Sequence, residues 1–260
     1  MTQRQTALVT GASAGLGKEF AELFARDGHD VVLVARNAGS LGRLASGLQQ
    51  THGITAHSMP LDLSRPESCG ELHRQLKERG IAVDFLVNNA GFGSTGPFLD
   101  QDLDKEASMI ELNVTALMRL CHLFGRDMRQ RGRGRILNIA SSAGFQAGPY
   151  MATYYASKAF VVMFSEALAV ELKKDGVTVT CHCPGATATE FAQRAGNAET
   201  KLFKRPGVAQ AAEVAAHAYQ AMQHGKVLAV HGLMNKVGVF FTRLVPRQVA
   251  SGIAAQLNQG

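Results

Sequence analysis

Thr6 to Gly17 reads TALVTGASAGLG, and the fold follows from how this stretch is read. A β-rich apolar run closes at Thr10. Glycines stand at 11, 15 and 17, and a helical pattern begins at once in GLGKEFAELFARD. Such glycine spacing means little alone, but between a strand and a helix it describes a turn suited to phosphate. The glycines permit a tight bend and close backbone approach, and the helix start offers free N–H groups with a partial positive charge. Gly11, Ser13, Ala14, Gly15, Leu16 and Gly17 are therefore candidate contacts for a dinucleotide.

The same alternation runs outward along the chain. The pattern predicts strands over 6–10, 30–35, 54–59, 85–88, 135–140, 177–183 and 226–230. Helices are predicted over 15–27, 40–50, 66–79, 103–130, 153–174 and 210–223. Strands alternating with helices imply a parallel sheet covered on both faces, and near-continuous apolar strands agree with that. No repeat, low-complexity stretch or linker divides residues 1–260, so one domain is expected. Residues 186–206 lack periodicity and form a candidate substrate lid, and 231–260 a C-terminal extension.

Composition narrows the classes. The 260 residues are 46% hydrophobic and 18% charged, ordinary for an α/β protein. The net charge of +6 is scattered; even the densest cluster, Arg126 to Arg135, reads as a helix end and turn. A solvated surface is therefore expected rather than a nucleic-acid patch. Cys181-His182-Cys183 lies in a strand pattern, which turns His182 away from both thiols and argues against a metal cluster. No signal peptide and no run long enough to span a membrane are visible, so a cytoplasmic location is expected.

Chemistry concentrates in SSAGFQAGPYMATYYASK, residues 141–158. On a helix Tyr154 and Lys158 share a face, and a neighbouring cation lowers a phenol's pKa toward the useful range. Tyr150 and Tyr155 lack a lysine four residues on. At the end of the second strand, where an NAD site places an acid for the ribose hydroxyl, Arg36 stands instead and can meet a phosphate with paired N–H groups.

Together these motifs resemble the short-chain dehydrogenase/reductase family. Its Ser precedes its Tyr by thirteen positions, which selects Ser141, with Ser142 as the fallback. The resemblance implies a single-domain Rossmann fold of about seven strands in the order 3-2-1-4-5-6-7. It implies Asn113, Ser141, Tyr154 and Lys158 as the catalytic set. Ser13 and Arg36 would hold the 2′-phosphate of NADP(H), and Asp62 and Leu63 the adenine. Asn89, Ala90 and Gly91 would flank the cofactor, Tyr154 and Lys158 would contact it, and Pro184, Gly185, Thr187 and Thr189 would bind the nicotinamide end. The expected reaction is NADP(H)-dependent interconversion of a carbonyl and an alcohol, without metal, in a homodimer or homotetramer. Relatives assemble through the helices predicted over 103–130 and 153–174. The alternative is an NADP-binding regulator without turnover. Phe92, Phe145, Tyr150, Met151 and Phe191 are candidate walls of a pocket for a lipophilic small molecule. Arg194, Lys201, Lys204 and Arg205 leave open an acyl thioester on an anionic carrier. The apolar stretch beyond Val230 reads as a pocket wall, a subunit contact, a lipid surface or a packed helix.

Overall fold

The apolar runs become strands, and every ladder is parallel. In the computed structural model, which describes residues 4–196, 200 and 208–259, the strands are β1 (Thr6–Thr10), β2 (Asp30–Ala35), β3 (Ala56–Pro60), β4 (Phe85–Asn88), β5 (Gly134–Ile139), β6 (Val177–Cys183), β7 (Thr187–Ala188), β8 (Ala209–Gln210) and β9 (Leu228–Val230). Seven form one sheet in the order β3-β2-β1-β4-β5-β6-β9. The expected order holds; its last strand is ninth in the chain because β7 and β8 pair separately. The order reverses between β1 and β4, which opens a crevice at their carboxyl ends, where ligands of such sheets bind.

Helices α1 (Gly15–Arg26), α2 (Ala38–His52), α3 (Ser68–Glu78), α4 (Leu103–Ile110), α5 (Leu117–Arg131), α6 (Ala152–Leu172), α7 (Glu190–Ala195), α8 (Ala211–Gln223), α9 (Leu233–Phe241) and α10 (Arg247–Asn258) follow. Strand alternation divides the core. Leu8, Val32, Leu86, Ile136 and Val179 face one layer with Leu72, Leu120, Phe124 and Val161. Ala7, Val9, Val31, Leu33 and Leu137 face the other with Phe20, Phe24, Leu41 and Met222. Each fully buried Leu or Phe contributes about 1.5–3 kcal/mol, so the two layers hold the sheet at fixed height.

Several boundaries differ from expectation by one or two residues, and three of the differences bear on the fold. β3 begins two residues late and takes in Pro60, which an edge strand tolerates because one side needs no N–H donor. The helix predicted over 103–130 is broken by a π turn, Glu111–Ala116, between α4 and α5. The last sheet strand is only Leu228–Val230. Of the proposed lid, β7 and α7 are ordered elements, whereas Lys201, Lys204, Arg205 and the side chain of Arg194 lie outside the described residues.

Candidate active site

The glycine turn sits at the crevice. Ala12 N–H donates to the Val34 carbonyl at 3.2 Å, fixing the turn against the end of β2. Gly11 has φ +67°, and a Cβ on Gly17 would land on the Gly11 carbonyl oxygen, so the bend is sterically reserved for glycine. The first turn of α1 has no side-chain cap, which leaves its N–H groups free. Asn89 ties the two glycine motifs together: its side-chain amide donates to the Thr10 carbonyl at 2.9 Å, and its backbone N–H to the Thr10 hydroxyl at 2.9 Å. Close backbone, free donors and a helix N-terminus fit a dinucleotide's pyrophosphate.

Other expected contacts line the same crevice. Arg36 is exposed just past β2. Ser13 opens on a cavity of about 420 Å³ that also holds Lys18, Ser40 and Arg43. That cavity contains none of the catalytic candidates; it is a hydroxyl-rich annex to the glycine turn with two cations, Lys18 and Arg43, and one carboxylate, Glu22. Arg43 carries no motif in the sequence; α2 brings it here from one turn past its start. The Asp62 carboxylate accepts from the N–H and hydroxyl of Ser64, and Leu63 is buried in the core. The Thr189 hydroxyl caps α7, and its methyl lies where a Cβ on Gly15 would meet it at 3.3 Å. Thr187 donates to the Gly185 carbonyl, and the Pro184 carbonyl accepts from Ser142 N–H at 2.8 Å.

The catalytic candidates converge beside this crevice. Ser141 lies two residues past the end of β5, with its hydroxyl close enough to the Tyr154 phenol to favour the phenolate. Its hydroxyl also accepts from Ala143 N–H at 3.1 Å and lies 3.4 Å from the Pro184 carbonyl. Tyr154 and Lys158 are both buried on α6. Lys158 Nζ stands 5.7 Å from the Tyr154 ring centroid and donates to the Ile139 carbonyl at 2.9 Å.

Here the electrostatics depart from the sequence reading. Burial pushes the Tyr154 phenol above its ordinary 10; the nearby Ser141 hydroxyl partly offsets this, and Lys158 does not. The cation lies alongside the ring rather than at the oxygen. Burial also pulls Lys158 down, to about 8, against the pull of Cys181 and Cys183. The site thus holds a protonated phenol and an ammonium close to titration.

Asn113 lies in the π turn, where the extra residue swings its carboxamide inward. It accepts from Phe92 N–H at 3.1 Å and donates to the Phe92 carbonyl and the Ser157 hydroxyl. A Cβ on Gly91 would meet its oxygen at 2.8 Å, so Gly91 and Asn113 are fitted to each other. Phe92, Met151 and Phe191 gather around Tyr154, with Phe191 at 5.4 Å between centroids. Phe145 is partly buried and packs against the larger core cluster. Tyr150 has φ 66°, a left-handed value for a bulky residue, and its carbonyl accepts from Gly96 N–H at 2.8 Å.

A sequence profile described as short chain dehydrogenase matches residues 5–200. The chain belongs to the short-chain dehydrogenase family. It is similar to a solved short-chain dehydrogenase from Sphingobium yanoikuyae in complex with NADPH, at 34% identity and TM-score 0.82, covering 92% of this chain and 94% of the other. It is also similar to the bulky-bulky ketone specific alcohol dehydrogenase from Comamonas testosteroni, at 31% identity and TM-score 0.79, covering 94% and 93%. Among curated relatives, the very-long-chain 3-oxoacyl-CoA reductase of Laccaria bicolor is 36% identical over 175 residues, 66% of this chain and 52% of the relative. The chain thus spans about half the length of that relative.

This short-chain dehydrogenase also has features that its motifs did not announce. The C-terminal helices return to the site: Ala254 packs with Tyr154, and Asn258 accepts from the Tyr155 hydroxyl at 3.2 Å. No local pattern links residues 103 apart. The strand reading of Cys181, His182 and Cys183 holds. Both thiols face one layer with their sulfurs 3.8 Å apart, and His182 faces α8, its Nε2 3.0 Å from His217 Nδ1. Among the described residues, no group of three or more His, Cys, Asp or Glu is placed to hold a metal.

Proposed function

We propose that the chain reduces a ketone or aldehyde to an alcohol, or runs the reverse, with NADP(H) as hydride carrier. The observation that carries this is the approach of the Ser141 hydroxyl to the buried Tyr154 phenol beside Phe92, Met151 and Phe191, two hydroxyls converging where a carbonyl oxygen must be held. The bound nicotinamide would supply the hydride. Tyr154, kept protonated by burial, would deliver the proton to the substrate oxygen. Ser141 would orient that oxygen. Lys158 would hold the cofactor ribose. Asn113, wedged between Phe92 and Ser157, would hold the π turn and a water that returns protons to Lys158. Pro184, Gly185, Thr187 and Thr189 would close on the nicotinamide end.

Preference for the phosphorylated cofactor is supported by Arg36 and Ser13 on one rim and by Arg43 and Lys18 in the adjoining cavity. NADPH is expected to bind more tightly than NADH, and Arg36→Asp to erase or reverse the difference. Equal dissociation constants in the unaltered protein would refute it.

The walls around Tyr154 support a lipophilic substrate, because buried apolar ligand area gains about 25 cal/mol per Å². Across ketones of increasing alkyl length, kcat/KM should rise; a flat series rejects the apolar pocket. The reductase name of the Laccaria bicolor relative favours an acyl thioester as the competing class. A rise that needs the carrier phosphate would select that class.

A further inference from the structure

We propose that α9 and the outer side of α10 dock on an anionic phospholipid surface. The observation is a helix turned inside out. A surface helix normally buries its apolar stripe and shows its polar one. In α9 the sides turned toward the protein are Asn235, Val239 and, just beyond its end, Thr242, while Leu233, Met234, Val237, Phe240 and Phe241 face out. No residue of the helix is buried. Leu233 is 75% exposed, Met234 81%, Phe240 58% and Phe241 53%, and Leu244 continues the face at 63%. Val249 and Ile253, one turn apart on α10, are exposed as well. A contiguous apolar face of this kind marks an interaction surface.

Charge selects the occupant. Residues 231–260 contain Lys236, Arg243 and Arg247 and no Asp or Glu. All three cations are exposed along the apolar face. A second copy meeting the same face across a two-fold axis would set these cations against one another with no local acid to answer them. Phenylalanine and leucine flanked by lysine and arginine match an interfacial helix on an acidic bilayer. Among the described residues no helix is long and apolar enough to cross a membrane, so the contact is with its surface.

The face adjoins the site. Asn235, on the inner side of α9, packs on Gly185, and α10 reaches Tyr155 through Asn258. Docking would therefore set the pocket's neighbourhood against the lipid. The docking itself does not depend on the proposed reaction; only delivery of a lipophilic carbonyl from the bilayer rests on that reading.

The test is co-sedimentation of the full chain with vesicles of phosphatidylcholine, alone or mixed with phosphatidylglycerol. Binding to the mixed vesicles is expected, weakened by salt and roughly tenfold weaker on phosphatidylcholine alone. Phe240→Ser with Phe241→Ser should abolish it, and Lys236→Glu with Arg243→Glu should remove the salt-sensitive part. Melting temperature and NADPH affinity report that each variant is folded. Absence of binding to the mixed vesicles, or equal binding to both compositions, overturns the proposal. So does light scattering in which the Phe240 and Phe241 changes dissolve an oligomer and leave vesicle binding intact.

Discussion

Tyr154 and Tyr155 are adjacent on one helix and do different work. Tyr154 meets Ser141, and Tyr155 donates to Asn258. Tyr154→Phe should nearly abolish turnover while NADPH binding, followed by fluorescence, persists. Tyr155→Phe should keep most turnover and lose about 1 kcal/mol of stability with its hydrogen bond. A dead Tyr155 variant would move the assignment. Lys158 yields a pH test. Its folded value near 8 lies below the ordinary 10.5, so between those values the unfolded chain binds more protons. The stability this group contributes is full above 10.5 and is lost as pH falls through 8. The melting temperature of the native protein minus that of Lys158→Met should therefore rise across that window; a flat difference rejects the buried-ammonium assignment. Tyr154, Lys158 and Ser141 were legible because their spacing is local. The raised phenol was not, since burial is set by residues far away in the chain.

At the scale of elements, strands were legible because those covered on both faces read as plain apolar runs, as in Val31 to Val34. The π turn was not legible. ELNVTA has ordinary helical periodicity, and only the contacts of Asn113 with Phe92 and Ser157 account for the extra residue. Asn113→Ala removes the partners of the partly buried Phe92 N–H and carbonyl, at a cost of about 1 kcal/mol. A lower melting temperature together with a loss of kcat exceeding any rise in KM is expected. Unchanged stability would show that the turn forms without it. The inverted face of α9 was equally hidden, because the sequence shows that Phe240 and Phe241 are apolar but not which way they point.

At the scale of the molecule, α6 serves two surfaces. Its inner side carries Tyr154 and Lys158, while Met163 and Val170 are exposed on its outer side and Met118 on neighbouring α5. Phe160 and Phe164 stack between these sides at 5.5 Å. Apolar residues all round a helix call for a second covering layer. A homodimer or homotetramer through α5 and α6 is expected by light scattering at micromolar concentration, and Met163→Glu with Val170→Glu should yield monomers. A monomeric mass for the unaltered chain refutes it.

Tyr150 carries a different kind of consequence. Its backbone occupies a region that costs a bulky residue about 1–2 kcal/mol. Asparagine enters that region readily. A laboratory lineage bred only for heat resistance should therefore discard this tyrosine early, with Tyr150→Asn raising the melting temperature. If the same lineage then turns over a test ketone more slowly, the ring was being retained for the ligand at the expense of the fold.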